Sequence, residues 1–164
     1  EQPRGVERLL DRGLEARAPG QAEAEPAPGD ARESGRTLQR IGRCLRGVGE
    51  LLESGAGLIV TTAGLSVDPE DLTRKGLMDA GLTDFLYGAA VLPGTMSLVG
   101  RIGDVSVAGV PACALYHSRT AFDLLLPRLL AGVKITKTQL AKIGHGGFCL
   151  ECKTCRFPIC PFGG

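Results

Sequence analysis

The chain has no tryptophan, and only 4% of its 164 residues are aromatic. Platforms that stack unpaired bases need aromatic side chains, so a single-stranded nucleic-acid role is disfavoured. Charge offers no alternative. The 19 basic and 18 acidic residues leave a formal net charge of +1, too even for an extended nucleic-acid or membrane surface. No apolar run approaches the ~20 residues that cross a bilayer. No charged-then-apolar leader opens the chain, which starts at Glu1. A P-loop and a G-x-G-x-x-G fingerprint are both missing, which disfavours a Walker-type nucleotide site.

What is present fits one domain, or one domain with an appendage. A compact domain of this length buries about 70% of its unfolded surface, so its core needs no disulfides. Four of the six cysteines crowd into the last sixteen residues. That clustering is a metal-site pattern rather than a disulfide framework, and it points to a reducing, cytoplasmic setting.

In chain order, Leu9, Leu10 and Leu14 stand at helical spacing in residues 6–17. Residues 18–35 are rich in Ala, Pro, Gly and Glu, carry no β-branched side chain, and read as a loop or linker. Leu38, Ile41, Leu45, Val48, Leu51 and Leu52 predict a helix over residues 37–53, stopped by Ser54-Gly55-Ala56-Gly57. A strand over Leu58-Ile59-Val60 follows, then a helix over residues 72–80 and another strand over residues 85–92. Residues 96–110 predict two strands turned at Gly103-Asp104. Residues 115–130 predict a long apolar helix with a kink or break at Pro127, and residues 138–143 a short one ending at Gly144. Strands alternating with helices predict an α/β domain with a mainly parallel sheet covered on both faces.

Two strand ends carry the chemistry. Thr61-Thr62-Ala63-Gly64-Leu65-Ser66 ends an apolar strand in hydroxyls and glycine, just before a helix. Exposed backbone N–H groups there favour phosphate or another anion. Asp68, Glu70 and Asp71 add carboxylates, which suit a Mg²⁺ ion bridging protein to phosphate oxygens. The alternative is helix capping, with Asp68 before Pro69 and acids in the first turn. The second strand end is Val107-Ala108-Gly109-Val110-Pro111-Ala112-Cys113. Side by side, two such ends would frame a pocket.

These stretches also carry a family resemblance. Thr61-Thr62-Ala63-Gly64-Leu65-Ser66 with Asp71, and Gly109-Val110-Pro111, resemble the molybdopterin-binding domain of molybdenum-cofactor biosynthesis proteins, the MoaB/Mog/MoeA-like group. A bacterial subgroup of stand-alone molybdopterin-binding proteins is similar in further stretches. These are the run from Ser66 through Thr73, Val91-Leu92-Pro93-Gly94, Phe122-Asp123-Leu124-Leu125-Leu126-Pro127-Arg128, and Gly144-His145-Gly146-Gly147 before a cysteine-rich tail. The resemblance implies a three-layer α/β/α sandwich, a cytoplasmic role in cofactor assembly, and a homo-oligomer. It implies that Gly64 and Ser66 cradle the pterin or its phosphate, with Thr62 and Ala63 in the same turn, and that Gly109 and Pro111 form the second wall, next to Ala112. Cys113 at that wall is either a packing residue or a contact to the pterin dithiolene or molybdenum. Asp71, with Asp68, would hold Mg²⁺ during phosphate activation with ATP (adenylyl transfer) or molybdate insertion. A molybdoenzyme or another assembly protein would be the partner. The family usually has glycine at the positions of Ala63 and Ala112; at Ala63 this puts a methyl group in the turn, and at Ala112 a left-handed backbone would strain alanine by roughly 1 kcal/mol or more.

Cys149, Cys152, Cys155 and Cys160 close the chain with C-x-x-C-x-x-C followed by C-x-x-x-x-C-Pro. Thiolates so spaced can converge on one metal at little loop-closure cost, either Zn²⁺ or an iron–sulfur centre. His145 is a further candidate ligand, and a redox-active disulfide pair is another use of these thiols. The division expected is residues 1–36 as a divergent or truncated amino-terminal part, 37–143 as the molybdopterin-binding domain, and 144–164 as the tail. Three functions are compatible with it: a cofactor-assembly enzyme, a non-catalytic carrier or sensor of the cofactor, or an unrelated α/β domain with a zinc knuckle.

Overall fold

The computed structural model describes residues 28–65 and 72–164. The helix expected over residues 6–17, most of the loop expected over 18–35, and Ser66, Asp68 and Asp71 lie outside the described residues. The chain runs α1 (Pro28–Glu53), β1 (Leu58–Thr62), α2 (Thr73–Asp79), β2 (Thr83–Tyr87), β3 (Leu98–Ile102), β4 (Val105–Val110), a 3₁₀ turn (Ala112–Leu115), α3 (Ala121–Leu130), α4 (Lys137–Ile143) and a second 3₁₀ turn (Gly144–Gly146). α1 begins at Pro28, inside the stretch expected to be a loop. Proline is tolerated in a first helical turn, where its missing N–H has no intrahelical partner to lose.

The four strands lie in the order β1-β4-β3-β2. β1 pairs with β4 in parallel, whereas β4 with β3 and β3 with β2 are antiparallel. The sheet is therefore mixed, which corrects the expectation of a mainly parallel one. The reason is local: a Gly103-Asp104 turn can join only antiparallel neighbours, and a parallel crossover needs a dozen or more residues. Gly103 takes φ +58 there.

Alternation along the strands sends apolar side chains to two clusters on opposite faces. Ile59, Leu98, Ile102 and Val107 pack with Val48 of α1 and Leu77 of α2. Val99 and Ala108 point the other way, among Leu125 and Leu129 of α3 and Leu140 and Ile143 of α4. α2 sits close on α1 because Gly76 has no side chain: a Cβ there would stand 2.9 Å from both Cβ and Sγ of Cys44. Burial pushes the Cys44 thiol pKa up, and the Asp79 carboxylate pushes it the same way. That thiol stays protonated and inert, in keeping with a packing role.

α3 starts later than residue 115 because Thr120 and Asp123 form a capping box, with the Thr120 N–H donating to Asp123 Oδ2 at 2.8 Å. The helix continues through Pro127 to Leu130 rather than breaking there. A second capping box, Thr136 with Gln139, starts α4. Between them the Lys134 Nζ donates to Asp84 Oδ2 at 2.9 Å. That hydrogen bond, then the Lys134 charge, holds the Asp84 carboxyl below the usual range.

The tail is not a free appendage. Leu92 and Phe148 form a parallel β-bridge, in which Leu92 N–H donates to Gly147 O at 2.6 Å and Cys149 N–H to Leu92 O at 2.9 Å. Gly147 makes this approach possible, since a Cβ there would meet Ala90 O at 2.0 Å. Phe162 returns the chain to the α3–α4 cluster. No helix among the described residues is long and apolar enough to cross a membrane.

Leu77 has no exposed surface. Leu77→Ala should lower the unfolding free energy by about 2–5 kcal/mol, the usual span for a buried leucine truncated to alanine. Urea denaturation followed by far-ultraviolet circular dichroism would measure it; a loss under about 1 kcal/mol would contradict the packing described.

Candidate functional site

β1 and β4 run in the same direction with Thr61 opposite Gly109 and Thr62 opposite Val110. Their carboxyl ends therefore stop together. The pairing continues one step beyond β1, with Ala63 N–H donating to Val110 O at 3.1 Å. The two turns that follow open onto one pocket of about 900 Å³, lined by Ala63, Gly64 and Leu65 on one side and Pro111, Ala112 and Cys113 on the other. That volume falls within the ~300–1,000 Å³ of small-molecule sites.

The remaining walls come from segments far apart in sequence. Leu92 to Met96 supply one, shaped by hydroxyls: Ser97 Oγ donates to Gly94 O at 2.7 Å, and Thr95 Oγ1 to Val91 O at 2.9 Å. Gly94 takes φ +114 and lies so close to α3 that a Cβ would meet the Ala121 nitrogen at 2.6 Å. The first tail residues, Phe148 to Glu151, form the other wall. His117, beyond the 3₁₀ turn, pairs through Nδ1 with Glu151 Oε1, and both line the pocket. Tyr87 on β2 donates its hydroxyl hydrogen bond to the Leu65 carbonyl, which steadies the turn after β1. Arg74 lies over the same ring at 4.8 Å from its centroid.

No protein-family model matches the chain, and no curated protein matches it either.

Of the residues singled out in the sequence, Ala63, Gly64, Pro111, Ala112 and Cys113 come together around this pocket. Gly109 and Thr62 do not line it. Gly109 is buried behind it, where a Cβ would stand 2.7 Å from Leu65 Cδ1 and 2.9 Å from Leu98 Cβ. Its lack of a side chain serves close packing of the β1 turn onto β4. Thr62 is exposed. The neighbouring Thr61 keeps a buried Oγ1 with no hydrogen-bond partner among the described residues. Cys149, Cys152, Cys155 and Cys160 are free thiols, as are Cys44 and Cys113. Among the described residues no three His, Cys, Asp or Glu side chains stand close enough to hold an ion.

The two alanines differ. Ala63 takes φ +64, the left-handed region, whereas Ala112 opens the 3₁₀ turn and is not among the residues with positive φ. The strain expected at Ala112 is therefore absent, and it falls instead on Ala63, at roughly 1–2 kcal/mol. Sequence reasoning missed Tyr87, His117, Phe148 and Glu151 as parts of the site. Leu92, Pro93, Gly94 and Gly147 stood in quoted motifs, but nothing local marks His117 and Glu151 as partners across 34 residues.

Gly64 has φ +66, and a Cβ there would meet Thr73 Oγ1 at 2.1 Å. Gly64→Ala should therefore destabilise the fold by more than the roughly 1–2 kcal/mol of left-handed strain alone. Adding Thr73→Ala should recover the excess, as urea unfolding of the single and double variants would show. Equal stability of Gly64→Ala and the parent would refute this geometry.

Proposed function

We propose that the chain binds molybdopterin at the joined ends of β1 and β4 and acts in molybdenum-cofactor assembly. One observation carries this reading. The two stretches whose residues resemble molybdopterin-binding domains, at Ala63-Gly64 and at Pro111-Ala112-Cys113, face each other across one pocket of about 900 Å³. They are 48 residues apart from Ala63 to Pro111 (111 − 63), and their resemblance was independent of their proximity. The helix-bearing clusters on both sheet faces support the three-layer α/β/α arrangement that the same resemblance implies.

The residues present suit a flat heterocycle with an anionic tail. Leu92, Pro111 and Phe148 offer apolar surface for a ring, while Cys113 and Cys149 bring thiols to the same cavity. Among the described residues no lysine or arginine lines it; a phosphate would be held by backbone N–H groups and hydroxyls of the turn after β1, and the family resemblance adds Ser66. Asp68 and Asp71 would hold Mg²⁺, which supplies charge neutralisation at phosphate oxygens. The carboxylates orient that charge and are not nucleophiles. In this role the protein is cytoplasmic and homo-oligomeric, with ATP or molybdate as co-substrate and a molybdoenzyme or assembly protein as recipient.

A specific observation favours a second reading, a non-catalytic carrier or sensor. Among the described lining residues the His117 imidazole and the Glu151 carboxylate pair with each other. Neither is left free to act on a phosphate. Ala63 adds strain where catalysis would want a permissive glycine.

Titration with molybdopterin separates these readings. Binding should saturate and weaken at least ~10-fold, or about 1.4 kcal/mol, in Ala112→Trp, which fills the pocket from an exposed rim position without touching the core. No binding by the parent protein sinks both readings. With Mg-ATP present, adenylylated pterin that disappears in Asp71→Asn marks the enzyme, and binding without turnover marks the carrier.

A further inference from the structure

The larger pocket has a neighbour. A second cavity of about 570 Å³ is lined by all four tail cysteines, Cys149, Cys152, Cys155 and Cys160. The segment that carries them has turns and bends but no helix or strand, so no backbone ladder opposes its rearrangement. It is pinned at both ends. Cys149 N–H is held by Leu92 O, and at the far end Phe162 is buried while Gly163 N–H donates to Gly146 O at 2.7 Å. A short loop with fixed ends and four free thiols around one cavity needs little further chain entropy to close on an ion.

The charge around the cavity fits a thiolate centre. Four thiolates on one divalent ion leave a net double negative charge. Arg119, which also pairs with Asp123 at 3.3 Å, and Arg156 line the same cavity with one carboxylate, Glu151, and Lys153 lies in the loop between the cysteines. Arg119 is stacked over Phe157, with its guanidinium carbon 5.1 Å from the ring centroid. Its Nε is buried with no hydrogen-bond partner among the described residues. An orphaned donor at that place is accounted for once a thiolate sulfur accepts from it, the outer-shell role that tunes metal sites.

We propose that Cys149, Cys152, Cys155 and Cys160 bind one zinc-class divalent ion in a tetrahedral all-thiolate site, and that this locks the wall shared by the two pockets. Each thiol gives its proton to solvent as its sulfur binds the ion, so uptake is favoured by rising pH. His117, Phe148, Cys149, Leu150 and Glu151 line both cavities. Cys149 is at once a metal ligand and a residue of the Leu92 bridge, so closing the thiolate site fixes the backbone that walls the larger pocket. A single ion is favoured over a cluster by the spacing: the ferredoxin-type run places three residues before its last Cys-Pro, and here Arg156 to Ile159 make four. The proposal stands apart from the pterin reading, and its test uses no pterin.

The reduced 164-residue chain is titrated anaerobically with Co²⁺ and then Zn²⁺. The expected result is one ion per chain, with the visible and near-ultraviolet bands of tetrahedral thiolate Co²⁺, bleached by Zn²⁺. Cys152 and Cys155 are exposed, so Cys152→Ser with Cys155→Ser leaves the core intact, as circular dichroism would check. That double variant should bind at least ~10-fold more weakly, while Cys44→Ser binds as the parent does. Amide hydrogen exchange at residues 148–151 should slow on Zn²⁺ addition. The site is overturned by uptake below one ion per chain, by equal affinity in the double variant, or by a cluster chromophore that forms only with iron and sulfide. Unchanged exchange at residues 148–151 with Zn²⁺ bound overturns the locking.

Discussion

The parallel pairing of β1 with β4 is the constraint on which the rest of this molecule depends. Side-by-side strands pointing the same way must end on the same edge of the sheet, so whatever follows each of them meets there. The Ala63 N–H on Val110 O extends that pairing past the last strand residue and sets the direction in which the turn leaves. Two further features follow from the closeness it demands. Gly109 can carry no side chain because Leu65 folds onto it, and Ala63 must accept a left-handed backbone to turn the chain back toward α2. The turn thus holds its shape through packing rather than through intrinsic preference, with the Tyr87 hydroxyl on Leu65 O as a polar tie from the far edge of the sheet.

The site is completed from outside this strand pair. Residues 91–97 and the tail close it, and both are held by backbone contacts that only glycine permits, Gly94 against Ala121 and Gly147 against Ala90. The two closing segments are also hydrogen-bonded to each other through Leu92. The first tail residues are thus at once part of the pocket wall and part of the cysteine segment. Cys149, which lines both cavities, is where the cysteine segment meets the site.

Much of the local structure was legible in the chain itself. Leu38, Ile41, Leu45 and Val48 mark α1, the Gly103-Asp104 turn marks the β3–β4 hairpin, and the apolar run at Leu58 marks β1. Where the expectation failed, a specific feature overrode it. α3 waits for its capping box at Thr120, and β2 ends at Tyr87 because Gly88 turns away with φ +87. The sheet's mixed character was legible too: a two-residue turn precludes a parallel neighbour, but the helix–strand alternation elsewhere carried more weight. For the site, the hydroxyl-glycine turn and the Pro111-Ala112-Cys113 turn could be picked out individually. His117 with Glu151, and Phe148 against Leu92, could not.

Sequence by itself determined what each segment could be: its periodicity, its turn chemistry, the two ligand-like strand ends and the clustered thiols. These depend on neighbours within a few residues, whose spacing is written in the chain. Tertiary structure alone decided which of those segments meet. It set β1 beside β4 rather than at another place in the sheet, put Gly109 in the core instead of the pocket wall, and laid the tail across the strand ends. Those outcomes come from burial and close backbone approach between residues far apart in sequence, and no local pattern encodes such a distance.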